Sequence, residues 1–149
     1  MKSYSKLLAM SVLAAGLAGC ASGPKYAEVK NAIPALAPDI GRIYFYRPTN
    51  MGLGSGIRPD VKLNGNVVGE SKAGGFFFVD TAPGDYEVVL STEVDKKLTF
   101  TLDKAQERCV RMAVGLGVIV YRVYPELADP QLCQSEIKDL SYTGSAIKP

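Results

Sequence analysis

The sequence predicts an all-β fold: an antiparallel β-sandwich of seven to eight strands with a short C-terminal helix. Three observations predict it. Short β-branched and aromatic runs recur at a spacing of roughly 8–12 residues, with turn residues between them. Asn64-Gly65 lies between two such runs and is a strong hairpin signal, because both residue types tolerate positive φ. Leu98, Phe100 and Leu102 alternate with Thr99 and Thr101, the period of a strand with one buried and one wet face.

The elements follow in order from Gly41. Arg42-Ile-Tyr-Phe-Tyr-Arg47 is aromatic and β-branched and stops at Pro48. Met51 to Gly56 is a glycine-rich loop. Val61 to Leu63 and Val67-Val68 flank the Asn64-Gly65 turn, and Phe76 to Val79 forms the next strand. Pro83-Gly84-Asp85 turns the chain into Tyr86 to Thr92, where Tyr86, Val88 and Leu90 alternate with Glu87 and Ser91. Arg108 to Val114 and Val118 to Tyr124 are two more strands, joined by a turn at Gly115-Leu-Gly117. Asp129 before Pro130 is a good N-cap and first-turn pair, and Cys133, Ile137 and Leu140 then share one helix face. Ser141 to Pro149 is expected to fray.

The chain has 149 residues, 17 of them basic and 15 acidic, with no histidine and no tryptophan. One domain is the default at this length. Lys2 and Lys6 account for the basic excess, so the remainder is neutral and nucleic acid is not an expected partner. The absence of histidine removes imidazole acid–base chemistry, the Ser-His-Asp and Cys-His arrangements, and imidazole metal ligands.

Met1 to Lys6 is short and basic, and residues 7–17 are apolar and small. That run of 11 residues falls short of the roughly 20 that span a bilayer as a helix. Its form is a secretory signal peptide. It ends in Leu17-Ala18-Gly19-Cys20, which resembles the lipobox of bacterial lipoproteins. The resemblance implies cleavage before Cys20, diacylation of its thiol and acylation of its new amine. Several acyl chains, each contributing about 0.8 kcal/mol per buried methylene, make a stable anchor. Ala21 rather than Asp follows the cysteine, which in Gram-negative lipoproteins implies passage to the outer membrane. The expected organisation is a signal peptide at 1–19, a lipidated N-terminus and tether at 20–40, a sandwich domain at 41–142 and a frayed tail at 143–149. The tether carries Pro24, Pro34 and Pro38 and should be semi-extended, with a short helix over Ala27 to Ala32.

A second resemblance spans roughly Arg42 to Leu140. Ile43-Tyr-Phe-Tyr-Arg47-Pro48, Val61-Lys-Leu-Asn-Gly-Asn-Val-Val-Gly69, Phe78-Val79 and Pro83-Gly84-Asp85-Tyr86-Glu-Val88 are similar to an uncharacterised bacterial lipoprotein family, known as a domain of unknown function. The hairpin and the Pro-Gly-x-Tyr-x-Val segment are also similar to PEGA-type β-sandwich modules. The resemblance implies a sandwich in the cell envelope and carries no catalytic residues.

Cys109 and Cys133 are the cysteines left once Cys20 is acylated, and an even pair in an exported domain reads as a disulfide. Strand alternation sets Val110, Met112 and Val114 on one face and Cys109 on the other. The Cys133, Ile137 and Leu140 stripe is the cover available for that second face. Gly52-Leu-Gly54-Ser-Gly56 lacks the Lys-Ser/Thr and the helix of a phosphate loop and reads as a mobile inter-strand loop. Its apolar members Met51, Leu53 and Ile57 are candidates for contact with a partner.

Asp80 and Asp85 bracket a turn, where capping of backbone N–H groups is the ordinary role. Alternation across Phe76, Phe77 and Phe78 turns two inward and one outward. Tyr44, Tyr46, Tyr121 and Tyr124 are candidates for a sugar-stacking surface, weakened by the lack of tryptophan. Arg42, Arg47, Arg108, Arg111 and Arg122 are expected on a solvated, salt-bridged strand face beside Glu87 or Glu107.

The function expected is therefore a lipid-anchored bacterial envelope protein whose sandwich is a structural or protein-interaction module. It is expected in the periplasm-facing outer membrane, with no catalytic residues, no metal and no cofactor. Its expected partners are the membrane, through the lipid, and an unidentified envelope protein. A periplasmic hydrolase inhibitor or a small-ligand-binding lipoprotein is the alternative. Hydrolysis by carboxylates alone would need two of them about 5–9 Å apart in a cleft.

Overall fold

A computed structural model describes residues 21–49, 54–92, 96–117 and 120–147. The expected signal segment, Cys20, Met51, Leu53 and the expected strand start at Val118 lie outside the described residues. Nine strands are present among those described: β1 (Gly41–Arg47), β2 (Asp60–Leu63), β3 (Asn66–Glu70), β4 (Gly75–Thr81), β5 (Gly84–Leu90), β6 (Lys96–Leu102), β7 (Glu107–Leu116), β8 (Tyr121–Ala128) and β9 (Ser141–Tyr142). A four-residue helix, α1 (Tyr26–Val29), precedes them, and α2 (Pro130–Ile137) lies between β8 and β9.

Two sheets form the sandwich. One has the order β8-β7-β1-β4-β9 and the other β3-β2-β5-β6. The sandwich is as expected, but it has nine described strands where seven to eight were expected, and two pairings are not antiparallel. β1 pairs parallel with β7, and β4 pairs parallel with β9. The first of these joins strands separated by the entire second sheet, the long crossover that parallel pairing requires.

The hairpin forms where Asn64-Gly65 predicts it, with φ of 47° and 83° at the two residues. Asn64 also ties the turn to β5, accepting from the Glu87 amide at 2.7 Å. β8 runs past Tyr124 through Pro125 to Ala128, longer than the sequence pattern indicates. Proline is tolerated there because β8 is an edge strand of its sheet.

Alternation gives the five-stranded sheet two distinct faces. Ile43, Phe45, Phe77, Val110, Met112 and Val123 are buried towards the second sheet, where they meet Val61, Val88, Leu90 and Leu102. Phe45 stacks on Phe77 with ring centroids 5.0 Å apart. Gly69 on β3 makes this close approach feasible: a Cβ there would lie 2.5 Å from the Phe77 ring. Only one of the three consecutive phenylalanines therefore points into the sandwich. Phe76 and Phe78 point to the opposite face, against Tyr142, so the expected two-to-one split holds but the pair faces away from the second sheet.

Both chain ends also depart from expectation. The 21–40 segment packs along the domain instead of leading away from it. The Ala21 amide donates to the Ala73 carbonyl (2.9 Å), the Tyr142 amide to Pro24 (2.8 Å) and the Tyr26 amide to Leu140 (3.0 Å). Ser141 and Tyr142, expected to fray, are buried and pair with Gly75 and Phe76. These residues lack a strand pattern of their own, and their order comes from pairing with distant backbone.

Candidate functional site

The densest side-chain chemistry lies on the outer face of the five-stranded sheet. Arg42, Tyr44 and Tyr46 of β1, Phe76, Phe78 and Asp80 of β4, and Cys109 and Arg111 of β7 all project to it, because strand alternation gives them one parity. Three pieces from the two chain ends cover it: the 21–40 segment, α2 and Tyr142.

α2 starts as its sequence predicts. The Asp129 carboxylate accepts from the amides of Gln131 and Leu132, both at 3.0 Å, and Pro130 opens the first turn. Its apolar stripe lies on the sheet, with Cys133, Ile137 and Leu140 all buried. Cys133 is disulfide-bonded to Cys109 across a Cα–Cα distance of 6.2 Å. The sulfur bond thus forms on the face that alternation assigns to Cys109, opposite Val110 and Met112.

Beside the disulfide, Glu136 of α2 joins a polar cluster. Arg111 donates from Nε and a terminal nitrogen to the two Glu136 oxygens, at 2.8 and 3.0 Å. Its other terminal nitrogen reaches Glu126 at 2.9 Å. The Tyr46 hydroxyl donates to Glu136 at 2.8 Å. The hydrogen bond to Glu136 raises the pKa of Arg111. Burial, and then the Glu136 carboxylate, raises that of Tyr46.

A second cluster fastens the N-terminal segment. Arg42 makes a two-pronged contact with Asp80 at 2.6 and 2.7 Å and donates to the Pro34 carbonyl at 2.9 Å. Its guanidinium also lies 4.5 Å from the Phe78 ring centroid. Its side chain is 2% exposed, and the hydrogen bond to Asp80 raises its pKa despite burial. The Tyr26 ring meets Phe76 edge-on at 5.6 Å. Burial raises the pKa of Tyr44.

The expectation of a solvated arginine face is thereby corrected. Arg42 and Arg47 are fully buried. Arg47 has the opposite parity to Arg42 and faces inward at the strand end. It donates to the carbonyls of Ile57 (2.6 Å), Ser71 (3.2 Å) and Gly54 (2.6 Å), while its Nε has no partner. With no carboxylate beside it, burial lowers its pKa. Arg108 donates to the Thr101 carbonyl of β6, and Glu87 pairs with Lys97 instead of an arginine.

The remaining candidates separate. Ile57 is half-buried against the core, and its carbonyl accepts from Arg47, so this side of the loop is tied to β1. Asp80 serves Arg42, and Asp85 accepts from the Thr101 hydroxyl at 2.7 Å, so both bind side chains across strands where backbone capping was expected. The four tyrosines do not share a surface: Tyr46 is buried under α2, whereas Tyr124 is exposed on β8. Among the described residues no three His, Cys, Asp or Glu are placed to hold a metal ion. No described helix is long and apolar enough to cross a membrane.

A cavity of about 140 Å³ lies between the two covering segments, lined by Tyr26, Tyr44, Glu107, Cys109, Cys133 and Ile137 among others. It is smaller than the roughly 300–1,000 Å³ of ordinary ligand sites. Exposed apolar side chains stand on the β7–β8 side of the sheet: Leu116 of β7 is 84% exposed, and on β8 Tyr124 has the parity of this face whereas Leu127, paired with Val110, has that of the inner face. Tyr124 and Leu127 of β8 and Leu132 in the first turn of α2 are 36%, 42% and 39% exposed. Sequence reasoning did not single out Leu127, Leu132, Glu126 or Glu136. The Asp129-Pro130 helix start located the region, but no periodicity marks an edge strand.

A family described as a protein of unknown function, DUF2846, matches residues 38–123, more than half the chain, and the chain belongs to that family. The match takes in β1 to β7 and the start of β8, leaving α1, α2 and β9 outside it. No curated protein and no solved structure matches the chain.

Proposed function

We propose that this member of a family of unknown function is a lipid-anchored component of the bacterial cell envelope, and that its sandwich is a non-catalytic module which binds another envelope protein. The reading of the address rests on the signal segment and Leu17-Ala18-Gly19-Cys20. The observation that carries the binding role is the exposure of Leu127 and Leu132 where β8, the terminal strand of its sheet, runs into α2. An open edge offers backbone hydrogen bonds to an added strand, and the flanking leucines offer apolar contact. Pro125 limits pairing on its own part of the strand, leaving Glu126 to Ala128 as the favoured segment. The strong polar groups of the neighbouring face are already engaged with one another, which suits a scaffold better than a reaction centre.

The test combines crosslinking in intact envelopes with two variants. The wild-type protein should give a discrete crosslinked species that is lost in Leu127→Arg/Leu132→Arg while the monomer stays folded. A crosslinking pattern unchanged by the double variant removes the edge from the proposal. Cys20→Ser should abolish lipid labelling and leave unprocessed precursor; labelled, membrane-bound mature protein from that variant ends the anchor reading.

A further inference from the structure

The β4 edge where the chain enters the domain has a direct consequence for how an anchored molecule stands. Ala21, the residue after Cys20, is bonded to the Ala73 carbonyl at the start of β4. Its Cβ lies 3.1 Å from where a Cβ on Gly75 would be. From there the chain stays attached: Pro24 receives the Tyr142 amide, Lys25 bridges to Ser141, and Tyr26 packs on Phe76. Consecutive Cα atoms are about 3.8 Å apart, so acyl chains on Cys20 would leave within one residue of this point.

We propose that the domain is held flush against the bilayer. The end formed by Ala21, Lys72, Ala73 and Thr143 faces the lipid headgroups, and the turn at Asp103 to Ala105 points away. This rests on the lipid anchor proposed above and adds the orientation. Strand direction defines the two ends. β1 finishes at Arg47 where β4 begins at Gly75, and the opposite end of β1 adjoins the turn through Ala105, whose amide donates to Ile40. Seven-residue strands separate the ends by roughly 20 Å, and β7, parallel to β1, extends past Arg47 to the exposed Leu116 on the headgroup-facing end. A free tether of 20 residues would let every face sample the membrane; the docked segment removes that freedom. The partner surface is phospholipid, met by Ser22 and by Lys72, which also pairs with Glu70 at 3.5 Å, while the Thr143 hydroxyl donates to the Phe76 carbonyl. The β8 edge, on the far side of the sheet from β9, then runs along the membrane normal and is presented sideways.

The experiment uses the full-length lipidated protein in vesicles of phosphatidylethanolamine and phosphatidylglycerol that carry a headgroup quencher. A fluorophore is placed on Lys72→Cys or on Lys104→Cys. Quenching should be several-fold stronger at position 72. Equal quenching at the two positions in vesicle-bound protein overturns the orientation and leaves the anchor standing. Absence of the acyl mass and of vesicle binding overturns the anchor and the orientation with it. Inserting about 20 Gly/Ser residues between Ala21 and Ser22, with an r.m.s. reach of roughly 25 Å, should bring position 72 down to the level of position 104. Unchanged quenching after the insertion shows that the docked segment does not set the orientation and overturns the proposal.

Discussion

The two faces of the five-stranded sheet are held by different physics. The inner face is apolar burial, with Phe45 on Phe77 and aliphatic side chains from both sheets around them. It lies within the family match. The outer face carries arginine, tyrosine and cysteine and is covered by segments from the two chain ends. A disulfide, two arginine clusters and edge-on aromatic contacts fasten that cover. Burial is non-directional and tolerates repacking, whereas ion pairs in a semi-buried site are costly when only one partner is left. The comparison teaches that the sandwich supplies the fold, and that directional links attach the N-terminal segment and α2 to it.

The comparison can be broken or sharpened by mutation, from the largest expected effect to the smallest. Phe45→Ala should cost about 4 kcal/mol and lower the whole denaturation curve, because it opens a cavity in the shared core. An effect confined to α2 would mean that the two sheets do not form one cooperative unit. Asp80→Ala should cost about 3 kcal/mol by stranding the buried Arg42 guanidinium. Its mark should appear first as faster amide exchange in residues 26–36, with β2 and β5 still protected. A uniform loss of protection would erase the distinction between the faces.

Reducing the disulfide, or Cys133→Ser, should cost up to about 3 kcal/mol for a loop with a sequence separation of 24. The melting temperature should drop by several degrees, measured by calorimetry. The unreduced folded protein should show no free thiol from this pair, and titration of both thiols would contradict the bond. Tyr46→Phe is the mildest, at about 1 kcal/mol near neutral pH, since one hydrogen bond to Glu136 is lost. Its value lies in the pH profile. Burial raises the Tyr46 pKa in the folded protein, so the folded state keeps a proton that the unfolded chain releases. The stabilisation is whole below the unfolded tyrosine pKa, about 10, and is lost as pH rises above it. Tyr46→Phe should flatten the alkaline fall in stability measured by urea denaturation, and an unaltered slope would place the titration elsewhere.

Some of this architecture was legible from local pattern. The hairpin, the alternation of β5 and β6, the Asp129-Pro130 cap and the buried Cys133, Ile137, Leu140 stripe each depend on neighbouring residues. The face of Cys109 followed from parity alone. The arginines were misjudged because exposure depends on which strand lies opposite. Arg42 and Asp80 are 38 residues apart and meet only through the β1–β4 register.

The sequence by itself determined the all-β class, most strand positions, the turn chemistry and the pair of cysteines suited to a disulfide, because those properties rest on periods of two and on short-range backbone preferences. Tertiary structure alone decided the parallel β1–β7 and β4–β9 pairings, the docking of residues 21–40, the order of Ser141 and Tyr142, and the burial of Arg42 and Arg47. The physical reason is loop closure. These contacts join residues far apart in the chain, and no local pattern records them, because each becomes favourable only once the sandwich has brought its partners together.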